Sequence, residues 1–152
     1  MKLTKYVTAL AALIIGVSTF SASAASTDAT NKVWQEHIDA WVARDLDGIG
    51  AHYNDDSLMI VNNFKFQGPE KIRAVFNYLF KRFDHGSNVI DPAIVDDRTI
   101  YITWNFTPSE ENTPIYGTDT FFVEDGIIKV QTIASKLYKK PTLVLLGGVE
   151  QK

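Results

Sequence analysis

The stretch GTDTFFVEDGIIKVQTIASKLY, residues 117–138, reads as two strands folded back on each other about Asp125-Gly126. Asp-Gly is a favoured pair for a two-residue hairpin loop, because Gly takes a positive φ freely and Asp tolerates one. Such a loop fixes the pairing: Glu124 with Ile127, Val123 with Ile128, Phe121 with Val130, Asp119 with Thr132 and Gly117 with Ala134. Side chains alternate along a strand, so Val123, Ile128, Phe121, Val130, Asp119 and Thr132 share one face. That face is apolar except at Asp119 and Thr132, and it is the face that helices are expected to cover. Asp119 therefore points inward. A buried carboxylate is costly unless paired, so its pKa is expected to rise or a donor to hold it. Two readings stand: a functional acid, or a structural Asp bonded to Thr132 or to a backbone N–H.

Upstream the pattern is helical. Trp34, Ile38, Trp41 and Val42 fall on one stripe of a helix over 28–44, with Thr27 or Asp28 as N-cap. A short second helix is predicted over 47–53. A strand over 57–61 and a turn at Asn62-Asn63 lead to Phe64–Phe66. Gly68-Pro69-Glu70 then opens a third helix with Pro at its first position, where the missing N–H is harmless. Ile72, Val75, Phe76, Leu79 and Phe83 give it a clear period, and Gly86 is expected to end it. Strands follow over 88–95, 99–106, 115–124 and 127–138, and residues 147–152 are expected to fray. Helices first and hairpin-linked strands afterwards indicate an α+β domain with a mainly antiparallel sheet.

The first two dozen residues are of another kind. Lys2 and Lys5 precede an apolar run over 6–20, and Ala22-Ser23-Ala24 supplies small residues, the pattern of a signal peptide over 1–24 cleaved after about Ala24. The expected localisation is secreted or periplasmic, with no membrane association after cleavage. Loss of Lys2 and Lys5 takes the 15 basic residues to 13 against 18 acidic ones. That balance argues against a nucleic-acid partner, whose phosphates require a clustered basic face. The 152-residue chain has no Cys, so core packing must hold the fold without disulfides. His52 and His85 form no metal-ligand spacing with the acids, and neither a metal nor a cofactor is expected.

His37 lies at the edge of the stripe made by Trp34 and Trp41 and can look into the same cavity as Asp119. A His and a carboxylate in reach of each other form an acid/base pair, while a lone His among aromatics is as readily a packed residue. Trp41, Tyr53, Met59, Phe76, Trp104 and Phe121 are candidates to line an apolar pocket, with Thr132 beside Asp119. Filling a core is their other reading.

RDLDGIGAHYNDDSLMIV, GPEKIRAVF and GTDTFFVEDGIIKVQ, in that order and spacing, resemble the nuclear transport factor 2-like superfamily, in particular its SnoaL-like and ketosteroid-isomerase-like branches. The resemblance implies that residues 25–146 form three helices packed on a strongly curved sheet, a cone of the cystatin-like kind with a pocket at its open end. It also implies a homodimer through the outer sheet face, with Phe122, Tyr116 and Ile133 as candidates. By the resemblance, Asp119 stands where the isomerases keep the protonated acid of their oxyanion hole and where SnoaL-type cyclases keep an acid/base aspartate. His37 falls where the isomerases carry a tyrosine on the first helix. The isomerase base position corresponds to Val61, Asn62 and Asn63, none of them a carboxylate. The function implied is binding of a small apolar molecule, with proton transfer on a carbonyl compound and without a cofactor. The alternative is a non-catalytic dimerisation or binding module of the cell envelope.

Overall fold

A computed structural model describes residues 19–152, with side chains from Ser26 onward. Residues 1–18 of the expected signal peptide lie outside the described residues, and Thr19 begins helix α1, which runs to Ala43. No helix among the described residues is long and apolar enough to cross a membrane. Because α1 passes straight through Thr27 and Asp28, neither caps it. Its buried face is Thr30, Val33, His37 and Ala40, flanked by half-buried Trp34, Ile38 and Trp41, whereas Val42 is 73% exposed. The helix is thus rotated from the expected stripe, and His37 stands at the centre of the inward face. Arg44, at φ 58, ends α1, and the Asp45 N–H returns to the Ala40 carbonyl. The Asp45 carboxylate then caps α2, Leu46–Gly50.

Strand β1, Leu58–Val61, turns at Asn62 into β2, Phe64–Gln67, and Gly68-Pro69 starts α3, Pro69–Phe83. Its predicted apolar face is buried throughout. The strand expected over 88–95 is two pieces, β3 (Gly86–Ile90) and β4 (Ile94–Asp96), since Pro92 has no N–H to continue the ladder. Both pair with the same edge of β5, Thr99–Pro108, so Gly86 opens a strand rather than closing α3. Strands β6 (Ile115–Glu124) and β7 (Ile127–Ser135) form the expected hairpin. A further short helix, α4 (Lys140–Leu145), precedes β8, Val149–Glu150. The tail expected to fray is therefore anchored: β8 pairs with β2, and the Gln151 N–H bonds the Asn63 carbonyl.

The sheet runs β3-β5-β6-β7-β1-β2-β8, antiparallel except at β1–β7, and curves around the helices as an α+β domain. The core lies between the helices and its concave face. On β5, Ile100, Ile102, Trp104 and Phe106 point inward as their alternation predicts.

Register in the β6–β7 hairpin departs from the expectation. Glu124 pairs with Ile127 and Val123 with Ile128, but Phe122 then pairs with Val130, leaving Lys129 as an extra residue. The cause is tertiary. The Ile128 N–H bonds the His52 carbonyl and its carbonyl accepts from the Ser57 hydroxyl, so Ile128 is bonded toward the α2–β1 loop. Beyond this bulge every β7 side chain exchanges faces. Gln131 and Ile133 turn into the core, while Thr132 pairs with Thr120 away from it. Thr132 is thus not beside Asp119, and Ile133, expected on the outer face, is buried.

Candidate functional site

Asp119 lies on the inward face of β6 and is only 8% exposed. Its Oδ1 accepts from Trp104 Nε1 at 2.8 Å and its Oδ2 from Gln131 Nε2 at 2.9 Å. Gln131 Oε1 in turn accepts from the Tyr53 hydroxyl at 2.6 Å. Four side chains from β5, β6, β7 and the α2–β1 loop thus form one buried polar chain. The local sequence explains the first bond. Gly117 pairs with Trp104 across β5–β6, and a Cβ at Gly117 would come within 2.1 Å of the indole. The bare glycine lets the indole lie against β6 and extend its N–H to the carboxylate two residues along.

Burial pushes the Asp119 carboxyl up from 3.8 to about 6, and the bonds from Trp104 and Gln131 oppose the rise. Burial outweighs the donors. Tyr53 is likewise raised, first by burial and then by the Asp119 charge. No other carboxylate among the described residues is buried.

His37 faces the same hollow from α1. It is 5% exposed and packed against Trp34, Tyr53, Phe76 and Phe121, with ring centroids 5.1–6.4 Å away. Burial, with a smaller contribution from the His52 charge, lowers its pKa from 6.5 to about 3. The ring is neutral at physiological pH and makes no hydrogen bond to Asp119; its Nδ1 is buried without a partner among the described residues. The expected His–Asp acid/base pair is therefore not formed directly.

The hollow between them measures about 40 Å³ at the centres of water-sized spheres, room for roughly three waters. Trp41, Phe76, Trp104 and Phe121 line it as expected. Tyr53 reaches it only through Gln131. Met59 is sealed in the core and does not border it. Gln131, Asn88 and Tyr138 border the hollow without having been singled out from the sequence. Gln131 was hidden by the bulge, while Asn88 sits on β3 at the inward phase set by Ile90 and could have been found from that alternation.

The residues at the isomerase base position do other work. Val61 is core, and Asn62, at φ 53, exchanges hydrogen bonds with Ser135 across the turn. Asn63 reaches Glu150 at the edge.

Solved structures share this architecture. A protein from Jannaschia sp. CCS1 provisionally designated a SnoaL-like polyketide cyclase has 15% identity and TM-score 0.61, covering 72% of this chain and 87% of its own. A protein from Kribbella flavida provisionally designated a ketosteroid isomerase has 15% identity and TM-score 0.58, covering 76% and 84%. An NTF2-like protein of unknown function from Mesorhizobium loti has 13% identity and TM-score 0.63, covering 72% and 93%. At these identities the likeness carries the fold. No curated protein matches significantly. The sequence model of the SnoaL-like domain matches residues 34–131, well over half of the chain, and on that match the chain belongs to the SnoaL-like domain family.

Proposed function

We propose that the hollow binds a small, largely apolar carbonyl compound and that Asp119 exchanges a proton with it. One observation carries this reading: a single carboxyl is buried among aromatic rings and gripped by two donors, and that burial pushes its pKa up to about 6. Above pH 6 the carboxylate predominates and can take a proton from carbon beside a carbonyl. Below it the acid predominates and can donate to the carbonyl oxygen as negative charge develops there. His37, neutral across that range, serves as a hydrogen-bonding group and not as the base. The cyclase and isomerase designations of structural neighbours support acid/base chemistry on ketones. The hollow's size favours a ligand of one ring or a short chain over a fused polycycle.

The test is exchange of the α-protons of cyclopentanone in D2O, followed by NMR, for the parent and Asp119→Asn. The parent is expected to accelerate exchange and the variant to lose about a hundredfold of that acceleration. Equal rates in the two proteins would remove Asp119 from the chemistry. The narrowness of the hollow favours one other reading, a non-catalytic binding module. That reading stands if the parent neither accelerates exchange nor binds the ketone.

A further inference from the structure

Two buried side-chain polar atoms have no hydrogen-bond partner among the described residues, His37 Nδ1 and Asn88 Oδ1. Both residues border the hollow that holds Asp119, one from α1 and the other from β3. Buried polar atoms are nearly always paired, so two unpaired ones on residues that line a single cavity point to groups brought by its occupant. Their chemistry restricts that occupant. An amide oxygen only accepts, so Asn88 calls for a donor. The Trp104 N–H and one Gln131 N–H of this wall are both spent on Asp119, while the neutral imidazole of His37 has an unpaired Nδ1 that can donate to a carbonyl oxygen. Among the described residues no Lys or Arg borders the hollow, so none of them compensates an anion beside Asp119. The remaining walls are aromatic and aliphatic, suited to a carbon skeleton.

From this juxtaposition we infer that the ligand is a small uncharged hydroxy-ketone, its hydroxyl donating to Asn88 Oδ1 and its carbonyl oxygen accepting from His37 Nδ1. The inference rests on the carbonyl reading above and names the compound class. Leaving a buried acceptor unpaired costs enough that the hydroxyl should tighten binding about tenfold or more.

Titration of the intrinsic fluorescence of Trp34, Trp41 and Trp104, which border the hollow, measures the affinities directly. The probes are 2-hydroxycyclopentanone, cyclopentanone and cyclopentylammonium. The parent is expected to prefer the hydroxy-ketone to the ketone about tenfold, Asn88→Leu to erase that preference, and His37→Phe to weaken both ketones. Should Asn88→Leu not fold, Asn88→Ala carries the same comparison. A parent without the preference, or a preference that survives loss of the Asn88 amide, overturns the inference and leaves these atoms to water. Tighter binding of cyclopentylammonium than of either ketone overturns it too, as the mark of a cation site. Asp119-dependent exchange on cyclopentanone without any hydroxyl preference sinks this inference alone. Failure of both ketones to bind sinks it together with the carbonyl reading.

Discussion

Replacing Asp119 by Asn and His37 by Phe, one at a time, should expose two opposed pH dependences that nearly cancel in the parent. The Asp119 carboxyl titrates near 6 when folded and near 3.8 when unfolded. Between those values the unfolded chain has given up its proton while the folded chain keeps it, so stability falls as pH rises. The penalty grows to about 3 kcal/mol above pH 6. His37 titrates near 3 when folded and near 6.5 when unfolded. Its contribution is intact above pH 6.5 and is lost as pH falls, by about 3 kcal/mol at pH 4. The two penalties exchange places between pH 4 and 7, and their sum stays at about 3–4 kcal/mol. Asp119→Asn leaves His37 alone, so that variant should lose about 3 kcal/mol in its own right, and about 2 kcal/mol relative to the parent, on going from pH 7 to 4. His37→Phe should gain about 2 kcal/mol in its own right, and about 3 kcal/mol relative to the parent, over the same interval. Asn at 119 keeps the shape of the carboxyl, and reversal of the Gln131 amide would give its N–H an acceptor. Urea unfolding followed by circular dichroism at pH 4, 5, 6 and 7 measures all three proteins, and subtracting the parent removes every other titrating group. Parallel curves for parent and Asp119→Asn would refute the reasoning, since they would mean that Trp104 and Gln131 fully offset the burial of the charge.

Gly117→Ala places a Cβ 2.1 Å from the Trp104 ring. It should cost about 2 kcal/mol by overpacking, lower Tm by about 4–8 °C, and shift the indole N–H resonance of Trp104 as its bond to Asp119 breaks. An unmoved resonance would show that the indole has room elsewhere. Removing residues 147–152 strips β8 from β2 and the Gln151–Asn63 bond. It should cost about 1–2 kcal/mol in lost backbone hydrogen bonds, read by thermal melting, and an unchanged Tm would mean that the tail contributes nothing.

Much of the architecture was legible wherever one residue type dominates a period. Helix α3 buries an unbroken apolar face behind Gly68-Pro69, and β5 alternates Ile100, Ile102, Trp104 and Phe106, so both could be read directly. Helix α1 was misread in rotation because its inward face includes a polar residue, His37, while Val42 stands in solvent. Elements as short as α4 and β8 have no period to read. The candidate site was half legible. Asp119 was placed from the hairpin turn alone, and the turn is where expected. Its partner on β7 was not, because the bulge at Lys129 comes from bonds that Ile128 makes to His52 and Ser57, more than 70 positions away in the chain. One extra residue exchanged Thr132 for Gln131, and no Gly or Pro marks the place.

The bonds around Asp119 have a direction. Trp104 can only give, an ionised carboxylate can only take, and Gln131 gives to Asp119 while it takes from Tyr53, so Tyr53 points to Gln131 and Gln131 to Asp119. A proton settling on Oδ2 reverses the arrow there: the acid now gives, Gln131 must present its oxygen, and the Tyr53 hydroxyl must receive. Charge in the hollow and the rotation of a phenol hydrogen on the far side of a glutamine are therefore one variable.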